Sequence, residues 1–269
     1  MLNISQINLT NKSYSQNLGK NLVNFKSVQP SIFPTSKPSA VENNKKIKEL
    51  TKNGVSIIDS KNTWIDKDTK IEEGTIIYPG CYIQGKNIIG KNNIIGPGTF
   101  IGGNVVIGEN NIIMQSDISN TTVKDDCKVG PYAVLRNNVL INDKARAGIF
   151  VEIKNSKIGE SSAVPHSSVI SDATVGKNVN IGGHTGISNY NPLTGAKERA
   201  IIEDGAVIGG QVLLQSPVKI GHNAIVASKS FVDKDVPPDS LAISRVPFDT
   251  EKNIKSDWVK NKKIKSSNK

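Results

Sequence analysis

The chain has 269 residues, of which 36% are hydrophobic and only 5% aromatic, and its net charge is +10. The positive charge belongs to the terminal segments, because residues 1–50 and 251–269 each carry a net charge of +5, whereas residues 51–250 are neutral overall. A neutral body argues against a nucleic-acid-binding protein, and the lack of any long apolar run argues against a signal peptide or a membrane span. We therefore expect a cytoplasmic protein.

Residues 1–61 are predicted to form an N-terminal arm that is disordered or partly helical. Up to about residue 44 the sequence is rich in Asn, Ser, Gln, Lys and Pro and has no hydrophobic period, which is typical of a disordered segment. The following stretch "NNKKIKELTKNG" is expected to form a turn or two of helix that ends at Gly54.

From Trp64 onward the sequence repeats with a period of six residues. Nine isoleucines follow one another at this step over Ile65–Ile113. After a slip, the step resumes over Val123–Ile187, with two steps of five residues, and it returns over Ile202–Val232. A period of six fits neither a helix nor a simple alternating strand, and such internal repeats indicate a solenoid.

The fourth residue after each repeated aliphatic residue is often small or β-branched, so two positions in six are expected to point inward. This pattern predicts a short strand plus a corner, and three such sides make one triangular coil of about eighteen residues in a parallel β-helix. We predict an all-β domain over residues 62–250, with about nine or ten coils and an excursion loop at 188–200. Cys81 and Cys127 fall on inward positions, which indicates small buried core residues.

The same register places the three histidines. His166 and His222 are each two residues after a repeated aliphatic residue and point outward, and His184 is three residues after one. A single surface histidine usually has no role, and we interpret His222 in this way. His166 differs, because Arg136 and Lys154 should stack on one side in adjacent coils and the excursion leaves about one coil later. A neutral imidazole beside cations could serve as a base next to an anion-binding cleft.

Six stretches in a fixed order carry the most specific information, and they read "WIDKDTKIEEGTIIYPGCYIQG", "VGPYAVLRNN", "FVEIKNSKIGE", "PHSSVISDATVGKNVNIG", "SNYN" and "LAISRVP". They resemble the acetyltransferase half of the bifunctional N-acetylglucosamine-1-phosphate uridyltransferase/glucosamine-1-phosphate acetyltransferase family, over about residues 62–263. The resemblance implies a left-handed parallel β-helix, a homotrimer with sites between subunits, and acetyl transfer from acetyl-CoA to glucosamine-1-phosphate. That reaction serves UDP-N-acetylglucosamine and cell-wall precursor synthesis in the cytoplasm, with no nucleic-acid or membrane partner.

The family's other half, a nucleotidyltransferase with an L-x-G-G-x-G-T-R-M loop, has no counterpart in residues 1–61. We therefore expect neither uridyl transfer nor its magnesium site, and no metal, from this chain.

The resemblance also implies roles for individual residues. His166 matches the family's catalytic base, which takes a proton from the glucosamine amine as the amine attacks the thioester. The residues that match the sugar-phosphate side are Arg136, Lys154, Asn180, Asn189 and Lys197. Those that match the acetyl-CoA side are Gly183, Asn189, Tyr190, Gly210, Ser228 and Arg245. The basic tail over residues 251–269, which contains Trp258, would either attract the coenzyme's phosphates or remain solvated.

Several positions depart from the family pattern. The family reads H-L-[ST]-Y-[IL]-G-D from its base onward, whereas this chain reads "HSSVISD", so Val169 replaces a tyrosine that contacts the sugar phosphate. His184 stands where a glycine is expected, and Gly210 stands where a coenzyme-side serine is expected. These departures bear on the identity of the acceptor more than on acetyl transfer.

Three alternatives follow from the same residues. The chain could be a related hexapeptide acyltransferase with a different acceptor, or a trimeric scaffold that has lost catalysis. A β-helical carbonic anhydrase would need three converging histidines on zinc. His166 and His184 occupy different phases of the repeat, and the sequence has no H-x4-H pair, which disfavours this last alternative.

Overall fold

The structure is a computed structural model that describes residues 39–244. The predictions for the first 38 residues, for the basic tail and for Arg245 therefore lie outside the described residues.

Within the described residues, one helix, α1 (Ala40–Lys52), precedes the strands. Ser39 caps it, since the Ser39 hydroxyl accepts a hydrogen bond from the Glu42 backbone N–H at 3.1 Å and donates to the Glu42 carboxylate at 3.2 Å. This Ser-x-x-Glu capping box starts the helix at Ala40, inside the segment whose composition predicts disorder. Ile47 and Leu50 on its inner side are buried. In the described part of the chain, no helix is both long and apolar enough to cross a membrane.

Thirty short strands form three parallel sheets, in which each strand pairs with the equivalent strands of the coils before and after it. The first sheet contains β1 (Ser56–Ile57), β4 (Ile76–Ile77), β7 (Ile94–Ile95), β10 (Ile112–Ile113), β13 (Lys128–Val129), β16 (Arg146–Ile149), β19 (Ala163–His166), β22 (Asn180–Ile181), β25 (Val207–Ile208), β28 (Ile225–Val226) and β30 (Leu241–Ala242).

The second sheet contains β2 (Trp64–Ile65), β5 (Tyr82–Gly85), β8 (Phe100–Gly103), β11 (Asp117–Ser119), β14 (Val134–Arg136), β17 (Glu152–Lys154), β20 (Val169–Ser171), β23 (Gly186–Ser188), β26 (Leu213–Gln215) and β29 (Phe231–Val232). The third contains β3 (Lys70–Ile71), β6 (Ile88–Ile89), β9 (Val106–Ile107), β12 (Thr121–Val123), β15 (Val139–Ile141), β18 (Lys157–Ile158), β21 (Ala173–Val175), β24 (Ala200–Ile202) and β27 (Val218–Ile220). The predicted all-β solenoid is confirmed, with about ten turns.

The core is a column of stacked aliphatic side chains between the three sheets. Every repeated residue of the sequence pattern is buried, and so is Ile118, which lies in the stretch where the pattern predicts a slip. The slip consists of two steps of five residues, from Ile113 through Ile118 to Val123. Asn120 makes the shortened corner possible, since its left-handed φ of 46° turns the chain within one residue.

Both cysteines lie in this column, as predicted. Cys81 and Cys127 are fully buried. Burial disfavours the thiolate, which raises the pKa of Cys81 to about 11 and the pKa of Cys127 to about 12. The interpretation of the two cysteines as small buried core residues is therefore confirmed.

Two corners of the coil matter for the site. Between the first and second sheets, one residue per coil has a left-handed φ, and we call this corner the histidine edge: Tyr132, Phe150, Ser167, His184, Gln211 and Lys229. Between the second and third sheets lies the asparagine edge: Asn120, Asn137, Asn155, Asp172 and Asn189.

Candidate functional site

The outer face of the second sheet brings the two predicted cations together. The register aligns Arg136 on β14 with Lys154 on β17, and Lys154 with Ser171 on β20. Neighbouring strands lie about 4.8 Å apart, so the two cationic side chains project from adjacent coils beside the asparagine edge, as their spacing in the sequence predicts.

Arg136 is held in a defined orientation by Glu152, which the sequence reasoning did not single out. The Arg136 guanidinium donates from Nε at 2.9 Å and from Nη2 at 2.5 Å to one oxygen of the Glu152 carboxylate. Its Nη1 is buried and has no hydrogen-bond partner within residues 39–244. A buried guanidinium N–H without a partner is costly, so this atom is suited to an acceptor that the chain itself does not supply.

The Lys154 ammonium lies in a locally positive environment. Partial burial lowers the pKa of Lys154, and the neighbouring charges of Lys197 and Arg136 lower it further, whereas Asp172 acts in the opposite direction. Like charges that depress the pKa of a lysine leave a region where a bound anion would be stabilised.

The excursion loop, residues 189–199, delivers Lys197 to this cluster. Its two arms meet in an antiparallel bridge between Tyr190 and Lys197, and the Asn191 N–H donates to the Ala196 carbonyl at 2.9 Å. Tyr190 is exposed at the base of the loop. The hairpin, whose base lies two coils beyond Lys154, therefore returns a cation toward Lys154.

Both ends of the loop are fastened to the asparagine edge. The Asp172 carboxylate accepts hydrogen bonds from the side-chain amides of Asn155 and Asn189. At the other end, the Arg199 guanidinium donates to the Ala173 carbonyl at 2.9 Å and to the Asn155 carbonyl at 3.2 Å. Sequence reasoning missed Asp172 and Arg199, because their partners come from other coils.

His166 ends β19 and is exposed at the histidine edge, on the opposite side of the second sheet from the cations. Directly above it lies Gly183, where a methyl group would sit 3.3 Å from the His166 Cβ. The Ser168 hydroxyl donates to the His166 carbonyl at 2.7 Å and so fixes the backbone at this corner. The imidazole is exposed, and Gly183 directly above it carries no side chain.

Three of the residues matched to acetyl-CoA continue this column along the solenoid. The Gln211 N–H donates to the Gly183 carbonyl at 2.8 Å, and the Lys229 N–H donates to the Gly210 carbonyl at 2.9 Å, so Gly183, Gly210 and Ser228 follow one another on successive coils. The two glycines leave a strip of bare backbone that begins at His166 and runs toward Ser228.

Val169 lies between the histidine edge and the cations. It is 47% exposed and projects from the second sheet, with Glu152 beside it in one neighbouring coil and Gly186 in the other. Asn180, in contrast, is exposed on the first sheet beside Ala163. In this chain, the structure therefore groups His166, Val169 and the cations around one face and leaves Asn180 on another.

The other two histidines differ in their surroundings. His184 is exposed at the histidine edge one coil above Ser167. His222 lies between two carboxylates, with Nδ1 3.8 Å from Glu203 and Nε2 3.4 Å from Asp239. Across residues 39–244, no group of three or more His, Cys, Asp and Glu residues is arranged to hold a metal ion.

Comparison with known proteins adds to this geometry. A family model described as bacterial transferase hexapeptide (six repeats) matches residues 68–103. The bifunctional protein GlmU of Thermotoga maritima is 41% identical over 219 residues, which are 81% of this chain and 48% of the relative. The GlmU of Carboxydothermus hydrogenoformans is 43% identical over 216 residues, which are 80% of this chain and 47% of the relative. Over these residues the chain is similar to the GlmU proteins. It spans about half the length of the GlmU relatives that it matches.

Solved structures with similar chains include two UDP-N-acetylglucosamine acyltransferases. The one from Campylobacter jejuni has a TM-score of 0.48 and 17% identity, and the match covers 69% of this chain and 70% of that chain. The one from Francisella novicida has a TM-score of 0.40 and 21% identity, with 77% and 73% covered.

Proposed function

We propose that this chain transfers the acetyl group of acetyl-CoA to the amine of an amino-sugar phosphate, with glucosamine-1-phosphate as the acceptor to test first. The observation that carries the proposal is the gathering of Arg136, Lys154 and Lys197 at one edge of a sheet whose other edge presents His166. The homology with GlmU, whose acetyltransferase half the sequence resembles, supports the same reaction.

The acceptor would lie across β20, over Val169. The strand from Val169 to Ser171 spans about 7 Å at 3.3 Å per residue, which matches the scale of one sugar ring with its phosphate at one end and its amine at the other. In this orientation the phosphate lies at the cations, where charge-assisted hydrogen bonds are strong, and the amine faces the histidine edge.

His166 would act as the general base. The neutral amine attacks the thioester carbon, a C–N bond forms, and the His166 imidazole takes the proton that the nitrogen loses. When the tetrahedral intermediate collapses, the C–S bond breaks and the coenzyme leaves as a thiolate, which can take up the proton from the imidazolium. The acetyl group ends on the nitrogen as an amide, and the imidazole is returned to its starting state.

The coenzyme would follow the bare strip over Gly183, Gly210 and Ser228, with its thioester at His166. The backbone there allows close approach of an extended chain, whereas Asn189 and Tyr190 lie at the start of the excursion loop, at the asparagine edge. We propose that Arg245 and the basic tail contribute to phosphate binding, and that the working form is a cytoplasmic homotrimer that supplies UDP-N-acetylglucosamine precursors.

The test is the release of free coenzyme A from acetyl-CoA in the presence of glucosamine-1-phosphate. We expect His166→Ala to lower turnover by about 10²–10⁴-fold, the range for loss of a general base. His222→Ala is the matched control, because His222 is an exposed histidine on another part of the solenoid, and its turnover should match that of the unaltered chain. Unchanged turnover in His166→Ala would refute the assigned base.

The exposed Val169 favours a second acceptor class within the same chemistry. A small aliphatic side chain at the centre of the face leaves room for a bulkier acceptor than an aromatic side chain at the same position would. A screen of amino-sugar phosphates and other amines, read out as coenzyme A release, separates these acceptors. No release with any amine would favour a scaffold that has lost catalysis.

A further inference from the structure

We propose that the acyl end of the donor lies on two exposed aromatic rings, Tyr132 and Phe150, and that the chain therefore binds acyl-CoA donors whose acyl chain is longer than acetyl. The inference rests on the proposed function, which places the thioester at His166 and the coenzyme on the bare strip that leads to Ser228. It adds an apolar binding site on the other side of His166, along the same edge.

The two rings form one continuous apolar surface. The rings of Tyr132 and Phe150 stack with their centroids 5.3 Å apart and their planes 11° from parallel. Tyr132 is 49% exposed and Phe150 is 59% exposed. Adjacent exposed rings present a much larger apolar area than a single surface residue does, and such an area is suited to an apolar ligand.

The register places this aromatic pair directly below His166. Ile149 on β16 is aligned with His166 on β19, and the Ser167 N–H donates to the Ile149 carbonyl at 2.8 Å. Phe150 is the next residue along the lower coil, and its N–H donates at 3.3 Å to the carbonyl of the residue before Tyr132. The backbone of Tyr132 therefore lies two coils below that of His166, about 10 Å at 4.8 Å per coil.

The conformation of the corner does not account for these two side chains. Tyr132 and Phe150 have φ values of 59° and 53°, in a region that a bulky residue rarely adopts. On the asparagine edge, Asn120, Asn137 and Asn155 have φ values of 46°, 59° and 45°, and asparagine tolerates this region well. The backbone thus explains an asparagine at such a corner, whereas two aromatic residues are strained there, and strain of this kind is typical of ligand sites.

Above His166, the exposed side chains of the histidine edge change in the order His184, Gln211 and Lys229 on successive coils. An acyl-CoA changes in the same order, from a hydrocarbon chain through the thioester to the amides of the pantetheine arm and then to phosphates. A glutamine amide can pair with an amide, and an ammonium with a phosphate. The edge therefore matches the donor in one direction, with the acyl chain pointing down from His166.

An acetyl group is too short to use the whole aromatic pair. A methyl group next to the thioester carbon could reach the nearer ring, that of Phe150, but Tyr132 lies one coil further away. A straight chain of several carbons would cover both rings, which makes short-chain acyl-CoA thioesters such as hexanoyl-CoA the donor class. The transfer step is unchanged: the C–N bond forms, the C–S bond breaks, and His166 takes the proton of the amine.

The test is a binding measurement without any acceptor. Isothermal titration of the full chain would compare acetyl-CoA with hexanoyl-CoA. We expect hexanoyl-CoA to bind about tenfold more tightly, because each fully buried methylene contributes a factor of about four and an open aromatic surface covers the additional methylenes only in part.

The double variant Tyr132→Asn/Phe150→Asn should lose this gain and bind both donors alike, with its affinity for acetyl-CoA within about twofold of the original value. Asparagine is the replacement of choice because it retains the left-handed corner while it removes the rings. Tyr78→Asn is the matched control, since Tyr78 is an exposed aromatic residue that follows β4 on the first sheet, and this variant should keep the full gain. Thermal unfolding verifies that each variant is folded.

A second measurement reports on the site itself. In the variant Tyr132→Trp, an indole replaces the ring that an acetyl group does not reach. Addition of hexanoyl-CoA should shift the emission of this indole to shorter wavelength, and addition of acetyl-CoA should not. The same titrations of the unaltered chain correct for the signals of Trp64 and Trp258.

Four results would overturn the proposal: equal affinity of the unaltered chain for both donors, a gain that the double variant keeps, no binding of hexanoyl-CoA, or no emission shift in Tyr132→Trp. If the double variant also sediments as a smaller species than the unaltered chain and Tyr132→Trp shows no shift, the rings form a contact between copies of the chain instead. The proposed acetyl transfer is judged separately by coenzyme A release in the His166→Ala comparison, so either proposal can fail while the other stands.

Discussion

The Lys154 ammonium destabilises the fold, but its position is suited to binding an anionic ligand. Its pKa is lowered by burial and by the charges of Lys197 and Arg136, so the ammonium destabilises the folded chain when no ligand is present. This penalty is present in full at pH values below the pKa of Lys154 in the folded chain. It decreases as the pH rises from that value to the ordinary pKa of lysine, because the unfolded chain binds the proton more readily over that interval, and it is absent at higher pH.

We therefore expect Lys154→Met to separate binding from stability. The variant should bind N-acetylglucosamine-1-phosphate about 10- to 100-fold more weakly, the range for one charge-assisted hydrogen bond. Its thermal midpoint without ligand should be equal to or higher than that of the unaltered chain, since a charge that the fold disfavours has been removed. Titration calorimetry and thermal unfolding at pH 7 measure the two quantities.

Lys157→Met is the control, because Lys157 is exposed on the third sheet and should affect neither quantity. A variant at Lys154 that binds the sugar phosphate normally would contradict the proposed anion site.

Asp117 offers a stability test away from the cations. It lies on the second sheet between Phe100 and Val134, and burial raises its pKa to about 6. For a carboxyl with a raised pKa, the folded state retains the proton that the unfolded chain releases. This contribution to the stability of the fold therefore falls as the pH rises from about 4 to about 6 and stays low above that interval.

Asp117→Asn should remove this pH dependence. Between pH 4 and pH 7, the variant should gain stability relative to the unaltered chain, on the order of 1 kcal/mol, because the carboxyl remains in partial contact with solvent. Urea unfolding at pH 4, 5, 6 and 7 gives the comparison. A constant difference across this range would show that Asp117 does not titrate as described.

At the scale of elements, the excursion loop depends on a few side-chain hydrogen bonds rather than on a core. Asp172 holds the start of the loop through Asn189, and Arg199 holds its end through the carbonyls of Ala173 and Asn155. Lys197 reaches the cluster only while these contacts persist, so the position of a proposed ligand contact is tied to the asparagine edge.

We expect Asp172→Asn to loosen this loop without unfolding the coils. Asparagine tolerates the φ of 51° at this position but has one oxygen fewer to accept from Asn155 and Asn189. Amide exchange over residues 189–199 should become about five- to tenfold faster, as loss of about 1 kcal/mol of local stability predicts. Exchange in β20 and β23 should change little, and the variant Asp143→Asn, at another corner, should leave the loop unaffected.

The coils within residues 39–244 form a linear stack, and an open end of such a stack needs protection from solvent. At the N-terminal end α1 supplies it. Asn43, which is buried, donates to the Thr63 carbonyl at 2.9 Å and accepts from the Ile65 N–H at 2.9 Å. The Asn43 side chain thereby supplies hydrogen-bond partners to the Thr63 carbonyl and the Ile65 N–H, at the first strand of the second sheet.

Asn43→Ala should therefore destabilise the end of the stack most. Two buried backbone groups would lose their partner, at a cost of about 2–4 kcal/mol. Hydrogen exchange should rise in β2 and β3 and remain slow in the central coils, because each repeat contacts only its neighbours. The exposed neighbour Asn44 provides the control variant Asn44→Ala. Uniform destabilisation of all coils would contradict the assignment of α1 and Asn43 as a cap of the N-terminal end of the stack.

Much of the molecule could be predicted from local pattern. The six-residue step located the core positions and the outward placement of His166, Arg136 and Lys154, because each depends only on position within a repeat. The start of α1 was also readable from Ser39 and Glu42, although composition suggested disorder there.

Contacts across coils could not be read in the same way. Ile118 was missed because two short corners change the step, and the return of Lys197 to Lys154 depends on how a loop outside the repeat folds back. The role of Asp172 depends on two amides, one from the coil below and one from the coil above.

The amino-acid sequence by itself determined that this chain is a β-solenoid with aliphatic residues inside and a histidine outside, because one repeated rule of burial applies at every coil. Only the tertiary structure decided which polar side chains meet along the two edges. Coils whose sides have five, six or more residues stack with their corners aligned, and this alignment places the asparagine edge, three cations and a bare glycine strip around one face.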